Sequence, residues 1–580
     1  MSFPIFTILN LNNNNSFLNK KDFKTLSIGS ESIHNSDYIT VDFITLIFKG
    51  HIYNFQELYE ILQPVGMDKN SKDYEIIIHL YNKYGIKYTL SLLQGSFSFI
   101  LFDNNYYNDS SKMYVVRDPF GIEPLYIYNT IYTEPIINEM SFYHENSNTA
   151  AYANTIFAFS SNLKQLSTFS KLFNKPNCIN QFRPGTYNEY SFSYKVLSYW
   201  KENNCIQYYH FPTTNIFEKS IMVNEVNINI NKNHILFNIC NNLFDVIKKQ
   251  VNSKKNGNSS IIGCLLSGGI DSSIIAAILN EYCIGNSIQL ETFSIGFVGS
   301  EDLKHAKIVS EYLGTKHHEI VITQKDYFYA TEQTIKVLET YDTITVRSGI
   351  SNYLINQWIT KNTNIQLLFT GDGADELMGG HLHFSMVKNA IDFDNHCKEL
   401  LSNIHYFDVL RSSNCASKSK IQICMPFLDR ILVENYLSIP LNLRYPHENK
   451  YNEKSLLRMA FSKENSFNMY GNSWLPDEIL HRTKEEFSDG LSPTNKKTTK
   501  IIGEFMNSLN IEMKNCKKYT HNRPNTLEQL FYREIFEKYY PDLGNVLPFM
   551  WMPQLVDTLD PSPRASGIYD ECVFWKNDNI

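Results

Sequence analysis

Residues 265–273 read LLSGGIDSS, and this stretch restricts the possible folds more than any other. The apolar run SIIGCLL leads into it, and a second apolar run, SSIIAAILNEYC, leads out. The first has the length of a buried strand and the second the length of a helix. Gly268 and Gly269 allow the backbone between them to approach a ligand closely. The N–H groups of such a turn and of the helix start converge on one point, and the helix dipole favours negative charge there. Ser267, Ser272 and Ser273 add hydroxyl donors. Asp271 would repel a bare phosphate, so its presence calls for a bridging Mg²⁺. No lysine follows the glycines, which excludes the GxxxxGK[ST] phosphate loop.

The surroundings decide what kind of sheet holds this loop. From about residue 233 a helical pattern (HILFNICNNLFDVIKKQV) precedes the first strand, and ETFSIGF and KHAKIVSEYLG continue the alternation. Strands and helices alternating at this length predict an α/β domain with a parallel sheet and crossover helices. Residues 1–200 read differently. Short apolar runs such as ITLIFKG and FSFILFD are separated by Asn, Asp and Gly turns, a β-rich pattern. The boundaries expected are therefore 1–200, a linker over 201–232, a second domain over 233–565 with a helical C-terminal part, and a tail over 566–580. The chain after about 555 is rich in Pro, Ser and Asp and reads as extended or disordered.

Composition narrows the partners. With 580 residues and 43% hydrophobic content, the chain can bury large cores without disulfides. A net charge of −7 provides no basic field for nucleic acid. The ten cysteines form no CxxC pair, and no stretch approaches a membrane span. The first residues lack the features of an export signal, so a reducing cytoplasm is expected.

Two further segments carry charge in suggestive places. TGDGADE, residues 370–376, follows the apolar run IQLLF and sets Asp372, Asp375 and Glu376 beside a glycine turn. Clustered carboxylates call for a cation or a titrating role. RTKEEFSDG, residues 482–490, places Lys484 among acidic residues.

Together these residues resemble asparagine synthetases of the glutamine-dependent type. SGGIDSS matches the pyrophosphate loop of enzymes that split ATP into AMP and pyrophosphate. YLGTKHHEI, LETYDTITVRS, FTGDGADELMGG, MPFLDR, KEEFSDG and WMPQ follow in the family's order over 233–565. The resemblance implies a class II amidotransferase domain of stacked antiparallel sheets, then a PP-loop ATP pyrophosphatase domain. It implies aspartate, ATP and ammonia or glutamine as substrates, and a homodimer. Ser267 to Ser273 would hold pyrophosphate, with Asp271 and Asp375 on Mg²⁺. Leu265, Ile295, Thr370 and Gly371 would line the adenylate, and Lys484 would stabilise charge at the α-phosphate. Arg347 and Asp429 fall at positions of the aspartate pocket. Asp372 stands where the family has Glu, Ile344 where it has Thr, and Cys424 where it has Arg.

The first domain departs further. The family's nucleophile is an N-terminal cysteine; here Ser2 follows Met1, and the first cysteine is Cys178. Thr25 replaces the arginine that clamps the glutamine carboxylate. KGHIYN stands for NGEIYN, whose Asn and Gly form the oxyanion hole in the family, so Lys49 replaces that Asn beside Gly50 and His51 replaces the Glu. Asp73 still matches the residue that binds the glutamine amine. RDPFGIEPLY (117–126) and RPGTY (183–187) keep the scaffold. The expectation is an ammonia-using synthetase with a disabled glutaminase. The alternatives are glutamine use retained through Ser2 or a misassigned start, and a non-catalytic regulatory homologue.

Overall fold

Two periodicities in the sequence become two kinds of sheet. The computed structural model describes residues 6–9, 22–23, 26–27, 38–64, 66–67, 71–104, 110–131, 155–171, 175, 178–193, 200–212, 225–253, 262–446, 453–493, 497–509 and 512–562. Ser2 and Thr25 lie outside these residues. The chain divides into one unit of residues 1–210 with 537–548 and another of 211–536 with 549–580.

The first unit holds two six-stranded antiparallel sheets. One runs in the order Lys201–Gln207, Thr186–Ser193, Ser110–Arg117, Gly95–Asp103, Ile44–Ile52, Tyr38–Val41. The other includes Tyr126–Ile131, Thr155–Ser160 and Ile179–Gln181. Side chains alternate across the first sheet. Ile47, Ile100 and Phe102 pack with Phe157 and Phe159 from the second sheet. Leu46, Phe48, Phe97 and Phe99 pack with Phe55, Leu58 and Ile77 of the helices Phe55–Leu62 and Ile76–Leu92. Burial on both faces is why ITLIFKG and FSFILFD are nearly continuous apolar runs. Lys201–Gln207, within the stretch read as a linker, is an edge strand paired with Thr186–Ser193.

The second unit is built on a parallel sheet. Its strands are β1 (Ile262–Leu265), β2 (Glu291–Phe297), β3 (Lys316–Ile322), β4 (Leu367–Phe369) and β5 (Gln422–Cys424). They lie in the order β3-β2-β1-β4-β5, each neighbouring pair parallel. Helix α1 (Glu225–Asn252) precedes the sheet. Helices α2 (Ile270–Gly285), α3 (Glu301–Leu313), α4 (Gln324–Leu338) and α5 (Thr343–Asn362) make the crossovers. Chain order reverses between β1 and β4, so the turns leaving these strands open onto one crevice, where open parallel sheets bind ligands. Among the described residues, no helix is long and apolar enough to cross a membrane.

Candidate active site

The turn after β1 is held open for an anion by its glycines. Gly268 has φ +72, and a Cβ there would meet His305 Cβ at 2.4 Å and Ala306 N at 2.6 Å, so only glycine fits. Gly269 starts α2, and Ser267 Oγ and Ser272 Oγ lie 3.1 Å apart across the turn. Ser273 Oγ is buried with no hydrogen-bond partner among the described residues. The turn after β4 closes on it from the other side. A Cβ on Gly371 would lie 2.9 Å from Asp271 Cβ. The two glycine turns found in the sequence thus face each other at the strand-order reversal.

They line one cleft, with Leu265, Ser267, Gly269, Asp271, Ser272, Ile295, Thr370, Gly371, Asp372, Asp375 and Lys484 on its walls. Ile344 lines it too. Cys424 ends β5, and its carbonyl accepts the Thr370 N–H at 3.0 Å.

Behind the cleft wall runs a ladder of alternating charge. Lys454, its side chain fully buried, bridges Asp271 and Asp375, with 2.6 Å between its Nζ and Asp375 Oδ1. Lys484 Nζ donates to Asp375 Oδ2 at 2.6 Å. Burial alone would raise the Asp375 pKa, but Lys454 and then Lys484 drive it far below the usual carboxylate range. The same contacts outweigh burial at Lys484 and keep its ammonium charged. His381 sits between two carboxylates, 3.2 Å from Glu376 and 2.9 Å from Glu486. Those partners outweigh burial and hold it as an imidazolium. Burial pushes Glu376 up to about 7.

Asp372 is tied on three sides. Thr370 Oγ1 donates to it at 3.0 Å, Ser412 Oγ at 2.6 Å and Arg411 Nη2 at 3.3 Å. Burial still raises its pKa, with Arg411 opposing. Arg482 reaches back to the Ser267 carbonyl (3.1 Å) and to Asp302 (3.0 Å), joining the Lys484 loop to the phosphate turn.

Two residues assigned by resemblance to the aspartate pocket are not among the residues that line this cleft. Arg347, 2% exposed, is not on the cleft wall. It makes two hydrogen bonds to Glu528 and two to Asp560, a fully engaged guanidinium. Asp429 is the N-cap of the helix Arg430–Leu437, accepting from Ile431 N at 2.9 Å and Leu432 N at 3.3 Å. A capping carboxylate explains its place in MPFLDR without a substrate.

Sequence reasoning passed over Lys454, Arg411, Arg482 and His381. Lys454 lies 183 residues from Asp271, so no local spacing could join them. Its backbone is left-handed (φ 57), a strain of order 1 kcal/mol that a lysine adopts when its surroundings fix it.

At the start of β3, His317 bonds Thr292 Oγ1 at 3.0 Å and Ser294 Oγ at 2.9 Å on neighbouring β2, and Ser294 lines the cleft. Burial, then the nearby His318, lowers the His317 pKa from 6.5 to about 4. Between those values the unfolded chain takes up a proton that the folded one refuses, so stability present above pH 6.5 is lost as pH falls toward 4. That difference is worth about 3 kcal/mol at full burial and about 2 kcal/mol for a partly exposed ring. Urea unfolding at pH 7 and pH 4.5 should therefore show His317→Gln losing about 2 kcal/mol less than wild type. Equal losses would refute this.

In the first unit, Lys49 is buried and pairs with Glu123 at 3.2 Å. Gly50 has φ +122, and a Cβ there would strike the Ser96 carbonyl. His51 Nδ1 lies 3.8 Å from Asp73, whose Oδ2 also accepts the Ile52 N–H at 2.7 Å.

Comparisons with known proteins agree with this geometry. A family model described as asparagine synthase matches residues 245–394 and 386–547, and one described as glutamine amidotransferase domain matches 36–200. Glutamine-hydrolysing asparagine synthetase from Gallus gallus is 32% identical over 539 residues, covering 92% of this chain and 88% of that one. The Homo sapiens enzyme is 31% identical over 544 residues, covering 92% and 88%. The Mus musculus enzyme is 32% identical over 543 residues, covering 91% and 87%. With a cleft at the strand reversal, cations threaded between its carboxylates and this likeness along nearly the whole length, the chain belongs to the asparagine synthetase family of carbon–nitrogen ligases.

Proposed function

We propose that this chain converts aspartate to asparagine with ATP and free ammonia, its glutaminase unit serving only as scaffold. The observation that carries the nitrogen source is Lys49. It stands where the resemblance expects an oxyanion-hole asparagine, and its buried ammonium is held by Glu123. Loss of one such donor costs about 100- to 1000-fold in rate.

In the synthetase unit, the hydroxyls of Ser267, Ser272 and Ser273 and the N–H groups of the turn hold the pyrophosphate portion of ATP. Leu265, Ile295, Thr370 and Gly371 flank the nucleoside. The aspartate side-chain carboxylate attacks the α-phosphorus, forming a mixed anhydride and releasing pyrophosphate. Ammonia then attacks the acyl carbon and AMP leaves. The first step brings two anions together, so Lys484 and Lys454 act by balancing charge. Asp372, oriented by Arg411, Ser412 and Thr370, is the carboxylate placed to accept the proton lost by the attacking nitrogen.

Asp271 and Asp375 would hold the Mg²⁺ that accompanies ATP. Asp271 Oδ1 is buried with no hydrogen-bond partner among the described residues, which suits a hard cation completed by phosphate oxygens. Bound there, the ion supplies Lewis-acid neutralisation of phosphate charge.

Pyrophosphate release from ATP, Mg²⁺ and aspartate tests the proposal. Turnover is expected with ammonium, and glutamine should support less than about 1% of that rate. Comparable rates with both would overturn the scaffold reading of the first unit. No turnover with either would point to a non-catalytic homologue.

A further inference from the structure

We infer that the C-terminal segment 549–562 is a strap that sets the position of the Lys484 loop, with Ser562 as its key positioning residue. The inference rests on the proposed role of Lys484 in balancing charge at the α-phosphate.

The loop from Arg482 to Glu486 carries four charged side chains in five residues and has no regular secondary structure. Its place must therefore come from the side-chain contacts described above and from the segments it joins. Just before it, Arg458 donates to the Leu480 carbonyl, and at its middle Glu453 accepts the Lys484 N–H at 3.0 Å. At the end the loop runs into one short turn of helix, α6 (Phe487–Gly490). Asp489 in that turn is 1% exposed, and Ser562 Oγ lies 2.8 Å from both of its carboxylate oxygens. The Gly490 carbonyl accepts from Ser300 Oγ at 2.7 Å.

Ser562 is itself fixed by the same segment. Its N–H donates to Asp560 Oδ1 at 2.9 Å, and Asp560 is clamped by Arg347 of α5. Farther back, the Trp551 N–H donates at 2.8 Å to Asp342, the N-cap of α5. The Trp551 ring lines the cleft, 5.6 Å from the His381 ring that bridges Glu376 and Glu486. The segment thus starts on the cleft wall, is anchored twice on α5, and ends on the turn that closes the Lys484 loop. A Pro- and Ser-rich segment without regular secondary structure is ordinarily exposed. Here Ser562 is fully buried against a carboxylate, and that burial singles out the contact.

Displacing a catalytic group by about 1 Å costs on the order of 100-fold in rate. Ser562→Ala removes one oxygen and should lower kcat with ammonium by about 10- to 100-fold, with KM for ATP changed by less than about threefold. Ser562→Thr keeps the hydroxyl and should restore most of the rate. Hydrogen exchange of full-length protein should show faster exchange in residues 481–490 of the alanine variant, with the β1 and β4 amides unchanged. Wild-type kcat and wild-type exchange in Ser562→Ala would overturn the strap. So would a rate loss accompanied by faster exchange throughout the second unit, since the residue would then only hold the fold together. If wild type itself fails to turn over, the functional reading falls, while the exchange experiment still decides whether the strap orders the loop.

Discussion

Lys454→Met is expected to reduce ammonium-dependent turnover by about 1000-fold or more, the largest effect of any single substitution at or behind the cleft. The side chain is fully buried, with Asp271 on one side and Asp375 on the other. Methionine fills nearly the same volume, so packing changes little, but two buried carboxylates lose the cation between them. Lys484 still reaches Asp375, and no hydrogen bond replaces the one lost at Asp271. Leaving a buried charge without its partner costs about 3–5 kcal/mol. The cleft can lower that cost only by protonating a carboxylate or by shifting the turn after β1, and either change removes the charge pattern that accepts the phosphates. Arginine at this position should not rescue, because its planar fork cannot replace a compact ammonium held between two carboxylates. Steady-state pyrophosphate release and urea unfolding check both consequences. A methionine variant keeping more than about a tenth of the wild-type rate would show that Lys454 is dispensable to the chemistry.

This lysine also shows where sequence reading stops. The glycine turns at 267–269 and 371–373 could be read because their chemistry is local: an apolar strand, a turn needing room, a helix start. The parallel sheet followed from the spacing of apolar runs. Lys454 gave no such signal. It precedes a short helix in a polar stretch, and only the folded chain carries it to Asp271 and Asp375. The charge ladder through Lys484, Glu486, His381 and Glu376 was half visible, since the acidic cluster at 372–376 called for a cation. That the cations were Lys454, Arg411 and His381, supplied from other parts of the chain, was not. Asp429 has a structural use that its sequence position alone accounts for. An aspartate before a helix caps it whether or not a substrate lies nearby, and here both accepted N–H groups belong to that helix. In the first unit, Lys49 could be read as a replacement, but its burial against Glu123 depends on the RDPFGIEPLY turn, 74 residues on in the chain.

Arg347 provides the second large effect, and it separates resemblance from structure. If Arg347 held the aspartate substrate, Arg347→Leu would raise KM for aspartate and leave stability alone. The geometry predicts the opposite. The guanidinium donates at 2.8 and 2.6 Å to Glu528 and at 2.9 and 2.8 Å to Asp560. Burial opposes the charge on Asp560, but the Arg347 contacts hold its carboxyl below the ordinary value. Leucine would strand a buried Glu528 and a partly buried Asp560, a loss of about 3–5 kcal/mol in unfolding free energy. Lysine would recover only part of this, because one ammonium cannot make four directed bonds to two carboxylates. Replacing all three residues with apolar ones of similar volume should recover most of the stability, since the desolvation of the charges disappears with them. It should not recover kcat, because Asp560 would no longer hold the Ser562 N–H. Urea unfolding and aspartate titrations of the single and triple variants test this directly. A single variant with wild-type stability and a KM for aspartate raised by more than about tenfold would return Arg347 to the substrate pocket. The expected result, stability restored in the triple variant with turnover still low, would assign the guanidinium to the strap rather than to the substrate.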